Sequence, residues 1–419
     1  MAAHAALLAL EAGEVEGEDL AGVVLATMSS PYAVKSGAAV VADYVNAPPT
    51  VCVLDVTAGA HAGLLALVTA LRDEALAERG PILVVGSDAV FGPANDVSDL
   101  AYGAAAAAFV VAREGFAALE TFDHGYSSYT NVWRPAGETV LQRYDDDRFD
   151  RTAGYGPQTA AALQRFVGEE APDWYALALP ASGRNGAAPP DRLLGSELVQ
   201  RVGDTGCANA LLNLAEALSG AEVGQAIVAQ AYGAGAGTVS ARLAVTADVR
   251  APEAAGDDVV ELSYVQYAKH RGLIPLTQLP DFGAPYGASP GWERSKGASV
   301  GLHAGRCRAC GSLNFPPRDY CLDCRGQEFE DVALPRQGSV VTFNLQYVVG
   351  IGPEEAPLPI CTALLAGETN GRYGGKVAAL VADADPETID IGTAVELIPR
   401  RGDVEQGLVK YGWKWEVAA

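Results

Sequence analysis

Two stretches far apart in the chain read alike, and that likeness constrains the fold more than any single motif. Asp55-Val-Thr-Ala-Gly-Ala-His-Ala-Gly-Leu-Leu-Ala-Leu67 leads into a helix-forming run, and Gly203-Asp-Thr-Gly-Cys-Ala-Asn-Ala-Leu-Leu-Asn-Leu214 does the same. Each is followed by a buried-strand pattern. Each then reaches Ala-Tyr-Gly-Ala, at 101–104 and at 231–234, ahead of a small-residue strand. Internal similarity of this kind marks a duplicated structural unit. The economical reading is a duplicated βαβ-type half whose two loop-to-helix turns meet near one centre.

The rest of residues 1–248 fits that plan. Val23–Thr27, Val51–Val56, Ile82–Val85, Ala106–Val111, Tyr175–Leu179, Ala226–Ala229 and Val239–Val245 are short apolar runs, most of them continuous. Continuous runs suit strands buried on both faces. Residues 32–45, 60–78, 157–168 and 207–219 read as helices packed on them, which predicts a layered α/β domain. Composition agrees: 49% of residues are hydrophobic, and Ala and Gly dominate, so helices and sheets can approach closely.

Pattern is lost over 249–292, where Pro252, Pro275, Pro280, Pro285 and Pro290 mark a linker. Within it, residues 262–274 read as a short docking helix. The range 293–332 holds Cys307-x-x-Cys310, ten residues, then Cys321-x-x-Cys324. Two such knuckles offer four thiolates to a tetrahedral site with bonds of about 2.3 Å. Four thiolates leave no open coordination position, so the metal is expected to be structural, and the ribbon context favours zinc. Between the knuckles, Asn314-Phe-Pro-Pro-Arg318 fixes an extended backbone. Arg318 either anchors a carboxylate or phosphate of a cofactor or is a plain structural side chain. Over 333–419, five short runs separated by Gly-rich turns predict a small barrel of the OB type: Gly338–Val349, Ile360–Leu365, Lys376–Val381, Ala394–Pro399 and Gly407–Val417.

The formal net charge of -23 repels phosphate backbones, and residues 293–419 carry 13 Lys and Arg against 17 Asp and Glu. A barrel without a basic groove argues against a nucleic-acid partner. No apolar run reaches the roughly 18 residues of a membrane span. Met1–Gly13 lacks a basic start and reads as an amphipathic helix, not as a signal peptide. Cys52, Cys207 and Cys361 sit in apolar contexts and read as buried thiols; with no disulfide framework, this predicts a reducing, cytoplasmic setting.

From 293 onward, Arg306-Cys-Arg-Ala-Cys-Gly311, Phe315-Pro-Pro-Arg318, Cys321-x-x-Cys324, Gly338-Ser-Val-Val-Thr-Phe343 and Tyr411-Gly-Trp-Lys-Trp415 resemble the acyl-CoA-associated zinc-ribbon/OB-fold family. That resemblance implies a partner of thiolase-type enzymes, which holds them together or helps place an acyl-CoA between active sites. Residues 1–248 resemble the thiolase superfamily, in its 3-hydroxy-3-methylglutaryl-CoA synthase and ketoacyl synthase III branch. The motifs are Ser30-Pro-Tyr-Ala-Val-Lys-Ser36, Asp55-Val-Thr57, Val84-Val-Gly-Ser-Asp88, Tyr102-Gly-Ala104, Asn131-Val-Trp-Arg-Pro135 and Gly203-Asp-Thr-Gly206.

The departures from that superfamily bear on function. Its cysteine nucleophile sits at the N-terminus of a buried helix, where the dipole and backbone N–H groups favour a thiolate. The matching residue here is Ala60, whose methyl group cannot carry an acyl chain. The catalytic His position falls at Pro180 or a neighbour, the Asn at Asp204, and the base Glu near Met28 or Ser29. The resemblance also implies a further strand and helix ahead of Met1, so that the start is misplaced or the N-terminal half is trimmed.

Two functions are expected from this. In the first, the chain is a subunit of an acyl-CoA complex that forms or breaks C–C bonds, with a CoA thioester as ligand. Its thiolase-like domain forms a homodimer, and its ribbon and barrel dock a partner thiolase. In the alternative, it is a self-sufficient hydroxymethylglutaryl-CoA synthase-like acyltransferase whose nucleophile has moved to Cys207, with His61 as base and Asp204 close by. His61 also reads as a core histidine.

Overall fold

In the computed structural model the described residues are 1–94, 96–144, 146–180, 188–195, 198–249, 261–271, 296–347, 358–365, 375–405 and 408–418. They fall into two compact units, Met1–Ala254 and Ala255–Ala419.

The first half of unit one runs α1 (Ala2–Gly13), β1 (Gly22–Ala26), α2 (Gly37–Tyr44), β2 (Cys52–Val56), α3 (Ala62–Leu71), α4 (Glu74–Ala77), β3 (Ile82–Ala89) and β4 (Ala104–Val111). Its sheet has the order β2-β1-β3-β4; β1 lies parallel to β2 and β3, and β4 is antiparallel to β3. The second half runs β5 (Ala117–Tyr126), a two-residue hairpin β6 (Val132–Trp133) and β7 (Gln142–Arg143), α5 (Asp147–Thr152), α6 (Tyr155–Val167), β8 (Trp174–Ala178), α7 (Leu198–Val202), α8 (Cys207–Gly220), β9 (Ala226–Gly233) and β10 (Gly237–Val245). Its sheet has the order β5-β10-β9-β8, with β8 parallel to β9 and β10 antiparallel to both neighbours. The unit α3-β3-β4 therefore recurs as α8-β9-β10, and the duplicated thiolase-like α/β fold is the fold of this unit.

Helices α3 and α8 lie between the two sheets. Leu64, Leu67, Ile82, Leu211, Leu214 and Ile227 fill that middle layer. The nearly all-apolar α3 makes sense there, because a helix buried over most of its surface has little polar face to present; its one polar residue, Thr69, is exposed and donates to the Leu65 carbonyl at 2.7 Å. Gly63 permits the crossing: a Cβ added to it would stand 2.1 Å from the Cys207 carbonyl oxygen. The outer faces are covered by α1 and α2, through Ala6, Leu10 and Val41, and by the Leu163 side of α6 against Tyr175 and Val228. The Asp55 carboxylate accepts N–H bonds from Gly37 (2.9 Å) and Ala38 (3.0 Å), capping α2 from the neighbouring strand.

All seven expected strands of this unit are present, and β5 is an addition. It is an edge strand that alternates half-buried and exposed residues, tied down by Arg242–Glu120 (3.0 Å) and Arg165–Asp123 (2.7 Å). A half-solvated strand has no continuous apolar run to give it away. The single helix expected over 60–78 breaks into α3 and α4, where Asp73 accepts from Leu76 N–H at 2.9 Å and starts a new helix.

Unit two contains α9 (Tyr264–His270), begun by a Ser263–Gln266 capping box within the expected docking helix. Next come β11 (His303–Cys307), β12 (Leu313–Asn314) and β13 (Phe329–Ala333), a three-stranded ribbon in the order β12-β11-β13. The strands β14 (Gln337–Gln346), β15 (Leu358–Leu365), β16 (Lys376–Leu380), β17 (Ala394–Glu405) and β18 (Leu408–Val417) form an antiparallel sheet in the order β16-β15-β14-β17-β18. The sheet nearly closes into a barrel, since Val381 bridges Trp415 and Ala382 N–H donates to the Trp415 carbonyl at 2.7 Å. Trp415 is fully buried among Val340, Leu365 and Leu397. The five linker prolines lie outside the described residues.

Candidate metal centre and ligand cavity

The two Cys-x-x-Cys knuckles adopt the same turn. Gly311 (φ +76°) and Arg325 (φ +66°) close them in the left-handed conformation. Their N–H groups donate back to the carbonyls of Cys307 (2.8 Å) and Cys321 (3.0 Å). The sulfurs of Cys307, Cys310, Cys321 and Cys324 all lie within 4.8 Å of one another. Cys307 and Cys324 Sγ are 3.5 Å apart, and Cys310 and Cys321 Sγ 3.6 Å. Tetrahedral bonds to zinc space sulfurs by about 3.8 Å, so this donor set fits the ion. Gly326 N–H points at Cys324 Sγ (3.4 Å) and the Asn314 amide at Cys321 Sγ (3.6 Å), while Asn314 Oδ1 accepts from Leu322 N–H (3.0 Å). Such outer contacts orient the ligating sulfurs. Arg318 is exposed and has no protein partner among the described residues.

Unit one encloses a cavity of about 860 Å³. Its wall draws on the Thr57–Ala60 turn ahead of α3, on Met28, on Ala101 and Tyr102, on Thr130–Arg134, on Arg143 and Asp150, and on Pro180, Asp204, Tyr232 and Ala234. Ala60, Pro180 and Asp204, picked out from the sequence at three distant places, thus line one space. Both tyrosines of the repeated tetrapeptide, Tyr102 and Tyr232, line it too. No cysteine is among the described residues of the wall.

Asp88 ties the halves together beneath this cavity. Its Oδ1 accepts from Thr27 Oγ1 (2.8 Å), Met28 N–H (2.8 Å), Ser29 N–H (2.9 Å) and Ser29 Oγ (2.7 Å). Its Oδ2 accepts from the Cys207 N–H at the start of α8 (2.8 Å). A buried carboxylate at a helix N-terminus also meets the positive end of the helix dipole. Sequence reasoning passed over this role, although an Asp ending the apolar run of β3 was the signal.

Cys207 is fully buried and does not line the cavity. Its S–H donates to the Gly59 carbonyl at 3.4 Å. Burial, and then the negative charge of Asp88, push the thiol well up, which is the reverse of what a nucleophile needs. His61 occupies the N-cap position of α3 without a side-chain capping bond; it is buried, with Nδ1 unpartnered and packed on Gly233. Burial, with His124 adding to it, lowers its pKa to about 4. No hydrogen bond joins His61 to Cys207 among the described residues.

Opposite, the Tyr129 hydroxyl donates to Asp150 Oδ1, and Asn131 Nδ2 donates to Asp150 Oδ2 at 2.8 Å. Burial raises the Tyr129 phenol, and the Asp150 bond adds to it; burial likewise pushes Tyr232 up to about 12. The wall therefore offers hydrogen-bond donors, carboxyl groups and two guanidinium groups. It can bind and polarise a ligand, and no described residue of the wall carries a thiol.

Comparison with known proteins agrees with both regions. Residues 301–330 match the family described as ChsH2, rubredoxin-like zinc ribbon domain. A DUF35 domain-containing scaffold protein of Methanocaldococcus jannaschii is 34% identical over 116 residues, 26% of this chain and 77% of that protein. The hydroxymethylglutaryl-CoA synthase of Methanopyrus kandleri is 28% identical over 295 residues, 64% of this chain and 82% of that protein. A crystal structure of an HMG-CoA synthase complexed with CoA superposes with a TM-score of 0.50 at 20% identity, covering 57% of this chain and 69% of that one.

Proposed function

We propose a function from one premise: the chain belongs to the DUF35 family, and its N-terminal part is homologous to hydroxymethylglutaryl-CoA synthases of the thiolase superfamily. It serves as an acyl-CoA-associated subunit of a thiolase-type complex that forms or breaks C–C bonds. The cavity holds a CoA thioester, a partner thiolase supplies the cysteine chemistry, and zinc on the four cysteines keeps the ribbon in shape to dock that partner. The observation that carries this reading is the wall of the cavity, where Ala60 stands at the head of α3 and no described residue is a cysteine. The edge strand β2 supports a homodimer through unit one, since it leaves Cys52, Val53 and Leu54 exposed beside unpaired backbone groups. The alternative, an acyltransferase working through Cys207, has against it a thiol that is buried, hydrogen-bonded to Gly59 and raised.

The test is co-expression with a thiolase from the same source, followed by size exclusion. Co-elution at a fixed ratio is expected. Repeated failure to associate with any thiolase of that source counts against the docking role.

A further inference from the structure

We propose that the ribbon is a peroxide-sensitive switch: a hydroperoxide oxidises the exposed sulfurs of Cys310 and Cys324, each of which then forms a disulfide with the buried cysteine of the other knuckle, and the ribbon gives up its metal. This goes beyond the docking role and rests on the reading that zinc fills the four-cysteine site.

The two knuckles share an asymmetry. In each, the first cysteine is buried and the second is not: Cys307 and Cys321 are 1% and 0% exposed, whereas Cys310 and Cys324 stand at the surface. The residues beside the outer sulfurs are exposed as well, Arg308 and Ala309 ahead of Cys310, and Asp323 and Arg325 around Cys324. Gly326 puts no side chain over the second pair; a Cβ there would stand 3.4 Å from Cys324 Sγ and 3.2 Å from Cys307 Sγ. A small oxidant in solvent therefore reaches two of the four sulfurs. A cysteine that ligates a metal is a thiolate, and thiolate character together with exposure selects which cysteines a peroxide oxidises. Cys207 and Cys361 are buried and offer neither condition.

Distance sets the pairing. Cys310 Sγ lies 3.6 Å from Cys321 Sγ, and Cys324 Sγ lies 3.5 Å from Cys307 Sγ. Each outer sulfur thus has a buried one at contact distance on the opposite knuckle. A disulfide bond is about 2.0 Å long, so each pair has only about 1.5 Å to close.

With hydrogen peroxide, the Cys310 thiolate attacks one oxygen and the O–O bond breaks. Cys310 becomes a sulfenic acid, and the other oxygen leaves as hydroxide, which takes up a proton to give water. The Cys321 thiolate then attacks the Cys310 sulfur and the S–O bond breaks. The departing hydroxide takes up a second proton to give a second water. Two thiolates together lose two electrons, and one peroxide is reduced. Cys324 and Cys307 repeat the sequence with a second peroxide. A disulfide offers no thiolate to a metal, so each bond removes two of the four ligands that join the knuckles. A thiol reductant returns both pairs to the ligating form.

The experiment treats the purified full chain, after its zinc content has been measured, with hydrogen peroxide in the presence of a zinc-binding dye. Non-reducing peptide mass mapping follows, and a parallel sample contains dimedone, which traps sulfenic acids. Release of nearly all the bound zinc is expected, together with Cys310–Cys321 and Cys307–Cys324 disulfides. Dimedone should mark Cys310 and Cys324, with Cys207 and Cys361 unmodified. Dithiothreitol and added zinc should restore the protease resistance of residues 296–347. Zinc retained under peroxide that oxidises free glutathione overturns the proposal and leaves the zinc reading standing. Dimedone on Cys307 or Cys321, disulfides within a knuckle, or zinc loss with only sulfinic or sulfonic acids would each overturn it too. A chain that binds no zinc at all overturns both.

Discussion

The ribbon and the cavity are built by opposite rules. The ribbon takes four sulfurs from the short run Cys307–Cys324, and two copies of one turn aim them at one point. The cavity gathers its wall from Met28 to Ala234, and long-range pairings such as Asp88 with Cys207 N–H hold that wall in place. In the ribbon every chemically active position is filled. In the cavity the positions that matter by resemblance carry Ala60, Pro180 and Asp204. A local metal site survives or fails as a unit, whereas a dispersed site can keep its shape after its reactive groups have changed.

The largest effect that separates the two regions concerns the metal. Cys321→Ser should lower bound zinc from one per chain to none and unfold the ribbon, since structural zinc contributes on the order of 10 kcal/mol of folding free energy. Metal analysis and limited proteolysis will show it, with residues 255–419 cut and unit one intact. Retained zinc would break the comparison at its first point.

Next comes the crossing that shapes the cavity. Gly63→Val places a side chain against the Cys207 carbonyl and should cost about 3 kcal/mol or more in urea melts. An unchanged midpoint would show that α3 and α8 have room to spare.

His61 gives a smaller, pH-dependent effect. Its folded pKa, about 4, lies below the ordinary 6.5, so the unfolded chain takes up the proton first as pH falls. The stability it contributes is complete above pH 6.5 and is lost on acidification through that window towards pH 4. Between pH 7 and 5 the loss should be about 2 kcal/mol. Paired urea melts of wild type and His61→Gln at the two pH values isolate it, and equal pH dependence in both would contradict the buried neutral imidazole.

The smallest effect belongs to Cys207→Ala, expected to cost about 1 kcal/mol and to leave acetyl-CoA binding unchanged by calorimetry. Abolished binding would return Cys207 to the site.

Legibility in the sequence followed the same divide. The knuckles could be read outright, because their spacing is their geometry. The middle layer could be read from the repeat, since 55–67 and 203–214 pack as α3 and α8 with their leading turns. The edge strand β5 could not, because its half-buried alternation resembles an ordinary polar stretch. Asp88 and the Tyr129–Asp150–Asn131 group were equally hidden, for their partners lie 19 to 119 residues away along the chain. The apolar contexts of Cys52, Cys207 and Cys361 predict buried thiols, and Cys207 and Cys361 are buried, whereas Cys52 is exposed because it starts the edge strand β2. The bond from Cys207 to the Gly59 carbonyl depends on how two helices cross, which no local pattern reports.

The most direct test of the account is intact-mass spectrometry of the purified chain after incubation with acetyl-CoA, with no other protein present. The spectrum should hold a single species at the unmodified mass at every time point. A species heavier by one acetyl group, appearing with time and removed by hydroxylamine, would mean that the chain carries its own nucleophile after all.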